Sequence, residues 1–294
     1  MAIRLEDVNY IYGVGSGQEK WALKNINLTI SDGEFVGIVG HTGSGKSTLT
    51  QLLNGLEKPS SGKIYYNEKD IGEGDSGREL RKKVGLVFQY PEYQLFETSV
   101  IRDVEFGPRN LGLTGLEVEK RSYDALRQVG ISDDLLDVAP FTLSGGQKRR
   151  VAIAGVLAMH PEVLILDEPT AGLDPVGRME ILNLLKKLHE ERNITIILVS
   201  HSMDDVAKYA QRLLVMNDGE LVLDGEPAKI FQYEEELYRI GLGIPQAAYV
   251  LHELARRGIP VDTNGITPEE AAEKIIACLK GSAKSDQSEE WSVV

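Results

Sequence analysis

A single cysteine, Cys278, stands among 294 residues. The chain can therefore form no internal disulfide and offers no cysteine pair to a metal, and a reducing compartment is the natural reading. No apolar run approaches the roughly 20 residues needed to cross a bilayer; Val163 to Leu166 and Ile194 to Val199 stop after a few. An unbroken apolar leader is missing too, because Arg4, Glu6 and Asp7 interrupt the first strand-like stretch. A basic excess is likewise absent. Lys and Arg number 32 against 45 Asp and Glu, a formal charge of -13, the wrong sign for a protein whose main partner is a nucleic-acid backbone. What remains is ordinary for a globular chain, with 42% hydrophobic and 26% charged residues, so collagen, fibrous and wholly disordered classes are excluded. The expectation is a cytoplasmic protein, one large domain or a large domain with an appendage, that can still dock on a membrane protein.

Ile3, Leu5, Val8, Tyr10 and Tyr12 alternate loosely with polar residues, and Leu23, Ile26, Leu28 and Ile30 do so more strictly. That is the period of half-buried antiparallel strands. Phe35 to Val39, Gly85 to Phe88, Val163 to Leu166 and Thr195 to Val199 are instead continuous apolar runs separated by helical stretches, the pattern of strands buried on both faces. The fold class expected is α/β, a mainly parallel core beside an antiparallel N-terminal sheet.

Leu49, Leu52, Leu53 and Leu56 fall on one helix face with Gly55 near its end, and a second helix is expected from Pro175 to Glu191. From Pro91 to Met159 no strand is readable, and Val118, Ser122, Ala125, Leu126 and Val129 recur at helical spacing up to Gly130, which suggests a helical insertion. Beyond Gly225 one helix face carries Ala247, Leu251, Leu254 and Ala255, and another carries Ala272, Ile275, Ile276 and Leu279. Thr267 with Glu270 predicts a capping box at the start of that last helix, with Pro268 at its first position. The divisions expected are 1–90 and 160–225 for the core with its antiparallel sheet, 91–159 for the helical insertion, 226–280 for a helical extension and 281–294 for a disordered tail.

Gly40-His41-Thr42-Gly43-Ser44-Gly45-Lys46-Ser47-Thr48 matches G-x-x-x-x-G-K-[ST] after the run Phe35 to Val39 and opens the Leu49 helix. Gly40, Gly43 and Gly45 let successive N–H groups face phosphate oxygens, and the helix N-terminus adds positive potential. Lys46 is expected to reach the β- and γ-phosphates and Ser47 to coordinate Mg²⁺. The run Val163 to Leu166 delivers Asp167 and Glu168 at its carboxyl end, where open α/β sheets place ligands. There Asp167 is expected to hold Mg²⁺ through its water shell and Glu168 to polarise the attacking water as general base.

Ser144-Gly145-Gly146-Gln147 after Leu143, taken alone, is a loop with a helix cap. Lying between the two motifs above, it resembles the signature sequence of the ATP-binding-cassette family. Gln89 resembles that family's Q-loop glutamine, Ala171 to Asp174 its D-loop, and His201 its switch histidine. The resemblance implies a P-loop NTPase cassette with a RecA-like core that binds ATP and Mg²⁺. It places Glu168, His201 and Gln89 in the catalytic set, Ser47, Gln89 and Asp167 on the metal, and Asp174 and Ser144 to Gln147 at the nucleotide. Tyr12 occupies the place of the aromatic that stacks on adenine, with Tyr10 as competing candidate, since one residue flips the face of a strand. Two such cassettes bind head to tail, the signature loop of one closing over ATP in the other. Ala171 stands where many cassettes carry a serine.

Gln89 to Phe96, Phe106-Gly107-Pro108, Thr170 to Pro175 and Leu242 to Pro245 are similar to the ATPase subunits of energy-coupling factor transporters, and more to the second of their two types. That resemblance implies a peripheral protein on the cytoplasmic face of the membrane, a second ATPase as heterodimer partner, and a transmembrane coupling subunit held by Pro91, Glu92, Tyr93, Leu95 and Phe96. A separate membrane subunit would bind the cargo, a vitamin or a transition-metal ion. Ordinary core packing is the other reading of the Pro91 to Phe96 cluster. The C-terminal helices can form a dimer contact or cover the sheet. Arg78, Arg81, Lys82 and Lys83, and likewise Lys148, Arg149 and Arg150, are read as solvated basic faces. The alternatives in function are another importer's cassette, or a soluble cassette acting on nucleic acid or the ribosome. Against the latter, no sustained heptads interrupt the chain and each motif occurs once.

Overall fold

Two sheets of different construction follow from the two apolar patterns. A computed structural model describes residues 3–72 and 76–286. Strands β1 (Ile3–Tyr12), β2 (Lys20–Ile30), β4 (Ser61–Tyr66) and β5 (Lys69–Asp70) pair antiparallel in the order β2-β1-β4-β5. The three-residue steps from Leu5 to Val8 and from Leu23 to Ile26 mark irregularities in the ladder, where the register slips on one strand and then on the other. Asp7 and Asn25 absorb them in left-handed backbone, φ 49° and 48°, a region short polar side chains tolerate. Both apolar faces thereby return to the core.

The second sheet runs β10-β9-β3-β8-β7-β6, built from β3 (Phe35–Val39), β6 (Val84–Val87), β7 (Val163–Asp167), β8 (Thr195–Val199), β9 (Arg212–Asn217) and β10 (Glu220–Gly225). The pairs among β9, β3, β8, β7 and β6 are parallel, and only β10 is antiparallel. Every residue of β3, β7 and β8 is buried. Side-chain alternation divides them between two layers: Val36, Ile38, Ile165 and Ile197 join the first sheet and helix α1 (Lys46–Asn54), while Phe35, Leu164, Leu166, Ile196 and Leu198 meet the helical layer opposite. The hairpin β9–β10 was not read from the sequence. Its signal was Asp218-Gly219, which turns with φ 47° and 84°, the two left-handed residues that a tight hairpin demands.

Helix α2 (Ser76–Lys83) precedes β6. Between β6 and β7 the chain forms a 3-10 turn (Pro91–Gln94), then α3 (Val100–Asn110), α4 (Gly115–Gln128) and α5 (Gly145–Leu157), with no strand. Helices α6 (Pro175–Arg192) and α7 (Met203–Tyr209) follow β7 and β8. Helices α8 (Pro227–Ile230), α9 (Glu234–Arg239) and α10 (Gln246–Arg256) bring Ile230, Phe231, Leu237 and Ala248 onto Val39, Leu213 and Val215, so this part of the extension covers the sheet. Helix α11 (Pro268–Asp286) packs on α10 through Ala271 and Leu251. Glu270 N–H donates to Thr267 Oγ1 at 3.3 Å and Thr267 N–H to Glu270 Oε2 at 3.2 Å, the expected capping box. The helix passes Gly281 and continues to Asp286, a correction to the tail expected from that point; the rest of that stretch lies outside the described residues. Among the described residues no helix is long and apolar enough to cross a membrane.

Leu49, Leu52 and Leu53 bury completely against the sheet and so fix the loop that opens α1. Leu52→Ala should cost about 2–5 kcal/mol, read as a lower urea midpoint with unchanged slope.

Candidate active site

Helix α1 starts at Lys46 without a side-chain cap, Gly45 preceding it in left-handed backbone at φ 106°. Its first N–H groups therefore have no partner in the helix and face the loop that bends back over them. The bend leaves no room for a side chain. A Cβ on Gly45 would lie 2.6 Å from the Ala22 carbonyl oxygen, and one on Gly40 2.4 Å from that of Met216, so the loop is clamped between β2 and β9. Lys46 is buried and donates to the carbonyls of Gly40 at 2.7 Å and His41 at 3.0 Å. Burial holds its ammonium below the usual lysine range, partly opposed by the charges of Glu168 and Asp167. Ser44 Oγ is buried without a hydrogen-bond partner, and His41 Nε2 lies 3.1 Å from Asn217 Oδ1.

The carboxyl end of β7 faces this loop. Asp167, its last residue, is buried and accepts from Ser47 Oγ at 2.9 Å. Glu168 leaves the strand in left-handed backbone at φ 51°, a conformation that costs a non-glycine residue about 1–3 kcal/mol. Its N–H still bonds the Val199 carbonyl of β8 at 3.0 Å. The kink sends its carboxylate between two side chains from neighbouring strand ends: Gln89 Nε2 donates to one oxygen at 3.0 Å, and His201 Nε2 lies 2.5 Å from the other.

A cleft of about 320 Å³ is lined by Tyr12, Thr42, Gly43, Gly45, Lys46, Ser47, Thr48, Gln89, Glu168 and His201. Tyr12 is 42% exposed and its hydroxyl lies 3.0 Å from Thr48 Oγ1, whereas Tyr10 is buried with its hydroxyl on Glu57. Tyr12 thus faces the cleft and Tyr10 the core. Lys20, Trp21 and Ala22 also line it, a wall the sequence reading missed. The antiparallel register that sets Lys20 opposite Tyr12 puts them there.

Ser144 to Gln147 and Asp174 are not among the residues that line this cleft. Ser144 caps α5 by accepting from the Gln147 N–H, while Gln147 Oε1 accepts from the Ser144 N–H at 2.9 Å. Gly145 and Gly146 have nothing within 4 Å of where a Cβ would stand, so this helix end opens outward. Asp174 caps α6 through the Gly177 N–H at 2.7 Å.

One of the two basic clusters needs correction, while Arg78, Arg81 and Lys83 are exposed as expected. Arg149 is not solvated: it is 1% exposed and forms a bidentate pair with Glu92, and Arg150 bonds Glu180. Arg78, Arg81 and Lys82 do reach a groove of about 630 Å³ with Phe96, Phe106 and Met159. Of the Pro91 to Phe96 stretch, Gln94, Leu95 and Phe96 line that groove. Pro91 is buried, Glu92 turns inward, and Tyr93, 84% exposed, stands outside it.

Comparison with known proteins places this geometry in a family. Residues 23–171 match the model of the ABC transporter family. The chain is 55% identical over 282 residues to the energy-coupling factor transporter ATP-binding protein EcfA2 of Caldanaerobacter subterraneus, covering 96% of this chain and 99% of that one. It is 52% identical to the protein of the same name from Clostridium perfringens, over 95% of this chain and 99% of the relative. Among solved structures it is similar to cbiO1 of Clostridium perfringens, part of the ABC transporter complex cbiONQ, at 45% identity and TM-score 0.72, over 81% of this chain and 94% of that one. An ATP-binding cassette solved as a dimer in a post-hydrolysis state with ADP and phosphate matches at 33% identity and TM-score 0.68, over 76% and 98%. With its phosphate-binding loop, paired carboxylates and outward-facing signature helix, this chain belongs to the ABC transporter family, as an ATP-hydrolysing cassette of the energy-coupling factor type.

Proposed function

We propose that this chain uses the cleft at the carboxyl end of β7 to bind ATP and to hydrolyse it when a second cassette closes over the nucleotide. The observation that carries the reading is Glu168, held between Gln89 and His201 beside the Ser47–Asp167 pair. Tyr12 stacks on the adenine and Thr42 to Thr48 wrap the phosphates. Lys46 exchanges its two carbonyl partners for β- and γ-phosphate oxygens, a trade that suits an ammonium held in a buried place. Ser47, Asp167 and Gln89 present hard oxygen donors with a single carboxylate among them, a set that fits Mg²⁺, an ion that keeps several waters and takes the rest of its shell from phosphates. These three would hold the ion, which when bound neutralises charge on the transferred phosphoryl group.

Glu168 accepts the proton of the attacking water, and His201, on the other carboxylate oxygen, orients it. Ser144, Gly145, Gly146 and Gln147 cannot serve the cleft of their own chain. They offer a helix N-terminus to the γ-phosphate held by a partner, and Asp174, exposed at the start of α6, is assigned to the same partner's nucleotide. ATP is then the adhesive between two cassettes, the second of them an ATPase of the other type.

The groove between α3 and α5 supplies the outlet for force. Phe96 and Phe106 stack edge to face at 5.0 Å across its mouth, and Arg78, Arg81 and Lys82 border it. Such a groove suits a helix of a membrane coupling subunit on the cytoplasmic side, read through apolar anchors. The cargo, a vitamin or a transition-metal ion, is bound by another membrane subunit.

Three outcomes test this. ATP turnover, low for the chain alone and raised by the second cassette and coupling subunit, should fall about 10²–10⁴-fold in Glu168→Gln with nucleotide binding retained; turnover that survives the substitution contradicts the assignment. Tyr12→Ala should raise KM for ATP roughly 2–10-fold at constant kcat, the worth of one aromatic contact, as steady-state kinetics would show. Phe106→Asp should remove stimulation by the coupling subunit and spare basal turnover; unchanged stimulation would place that subunit elsewhere.

A further inference from the structure

We propose that the buried Arg149–Glu92 pair is a positioning device that ties the groove to the nucleotide site and to the signature helix at once. Arg149 sits one turn into α5, the helix that Ser144 opens. Its Nε and Nη2 donate to the Glu92 carboxylate at 3.1, 2.7 and 2.9 Å, and its Nη1 donates to the carbonyls of Pro169 at 2.9 Å and Ala171 at 2.7 Å. Those carbonyls belong to the loop that begins at Glu168 and ends at Asp174. One planar guanidinium therefore holds three segments that no strand or helix connects.

Glu92 is the middle of a short lever. Three residues before it Gln89 touches Glu168, and from two residues after it Gln94, Leu95 and Phe96 line the groove. Between them Tyr90 adopts left-handed backbone at φ 54° and the chain turns into the Pro91–Gln94 helix. A shift in this turn is carried to α5 and to the Pro169 and Ala171 carbonyls by bonds of fixed direction, which a fork can transmit and a point charge cannot.

Stability alone does not explain the pair. Replacing a buried ion pair by apolar side chains of similar volume is often neutral, whereas removing one partner is not. This separates structure from transmission. If the pair only supported the fold, Glu92→Met with Arg149→Met would restore what the single variants lose by leaving one charge unpaired, the remaining loss being the donors to the Pro169 and Ala171 carbonyls.

The proposal rests on the membrane-coupling reading, and the test keeps the two apart by needing no membrane subunit. An environment-sensitive fluorophore is attached at Tyr93→Cys in a Cys278→Ser background, and a non-hydrolysable ATP analogue with Mg²⁺ is titrated. The signal should shift on binding. In the Glu92→Met, Arg149→Met double variant the shift should fall at least about fivefold, the lower end of ordinary site-to-site coupling, while analogue affinity changes less than about threefold and circular dichroism at the assay temperature matches the parent. Glu92→Gln, which keeps volume and loses charge, should give the same loss, and Arg149→Lys should not rescue it. An unshifted signal in the parent, an undiminished shift in either variant, or affinity falling in step with the shift overturns the proposal. A signal that behaves as expected while the coupling subunit neither binds nor stimulates turnover would leave the pair's role standing and remove the membrane reading.

Discussion

A strand buried on both faces can place a polar side chain only where it ends. That constraint organises the site, because β3, β7 and β8 are buried along their whole length and run parallel. Their carboxyl ends come level, and the residues at or just past them face one another: the phosphate loop after β3, Asp167 at the end of β7 with Glu168 after it, His201 after β8. Gln89, two residues beyond β6, completes the row. Ser47 and Asp167, separated by 120 residues in sequence, meet at 2.9 Å for this reason alone. The strain at Glu168 is of the same origin, since only a sharp turn at the strand end lifts its carboxylate out toward Gln89 and His201.

On the proposed reading one chain holds two half-sites, and the same layering accounts for it. The face that carries the cleft is set by the strand ends, and the signature helix is set by the helical layer, whose core of Val104, Leu126, Val151 and Leu157 is packed against Leu164 and Leu166. Ser144 and Gln147 satisfy each other at the outer end of that layer. Closure then asks nothing of the fold beyond a partner.

Much of this was legible before the fold was known. Phe35 to Val39 and Thr195 to Val199 read as strands to the residue, because a continuous apolar run of 5 residues, rich in Val and Ile and bounded by turns, is too short for a helix and suits a strand buried on both faces. The phosphate loop and the two carboxylates were readable from local pattern; Tyr12 was favoured over Tyr10 through the family resemblance alone, and only the folded register puts Tyr12 at the cleft and Tyr10 on Glu57. Arg149 was not. Lys-Arg-Arg on a helix reads as a solvated face, and its partner Glu92 lies 57 residues away, a pairing that no local pattern encodes. The wall of Lys20 and Trp21 was hidden for the same reason, since it depends on the register of β2 against β1. The hairpin β9–β10 was overlooked despite its Asp-Gly turn.

The central claim is that the site is complete only between two cassettes, and the per-chain rate of ATP hydrolysis tests it directly. That rate would be followed as chain concentration is raised from nanomolar to micromolar, alone and with an ATPase of the complementary type. It should be near zero when dilute and climb to a plateau with whichever cassette closes the site. A per-chain rate independent of both concentration and the second cassette would contradict the account.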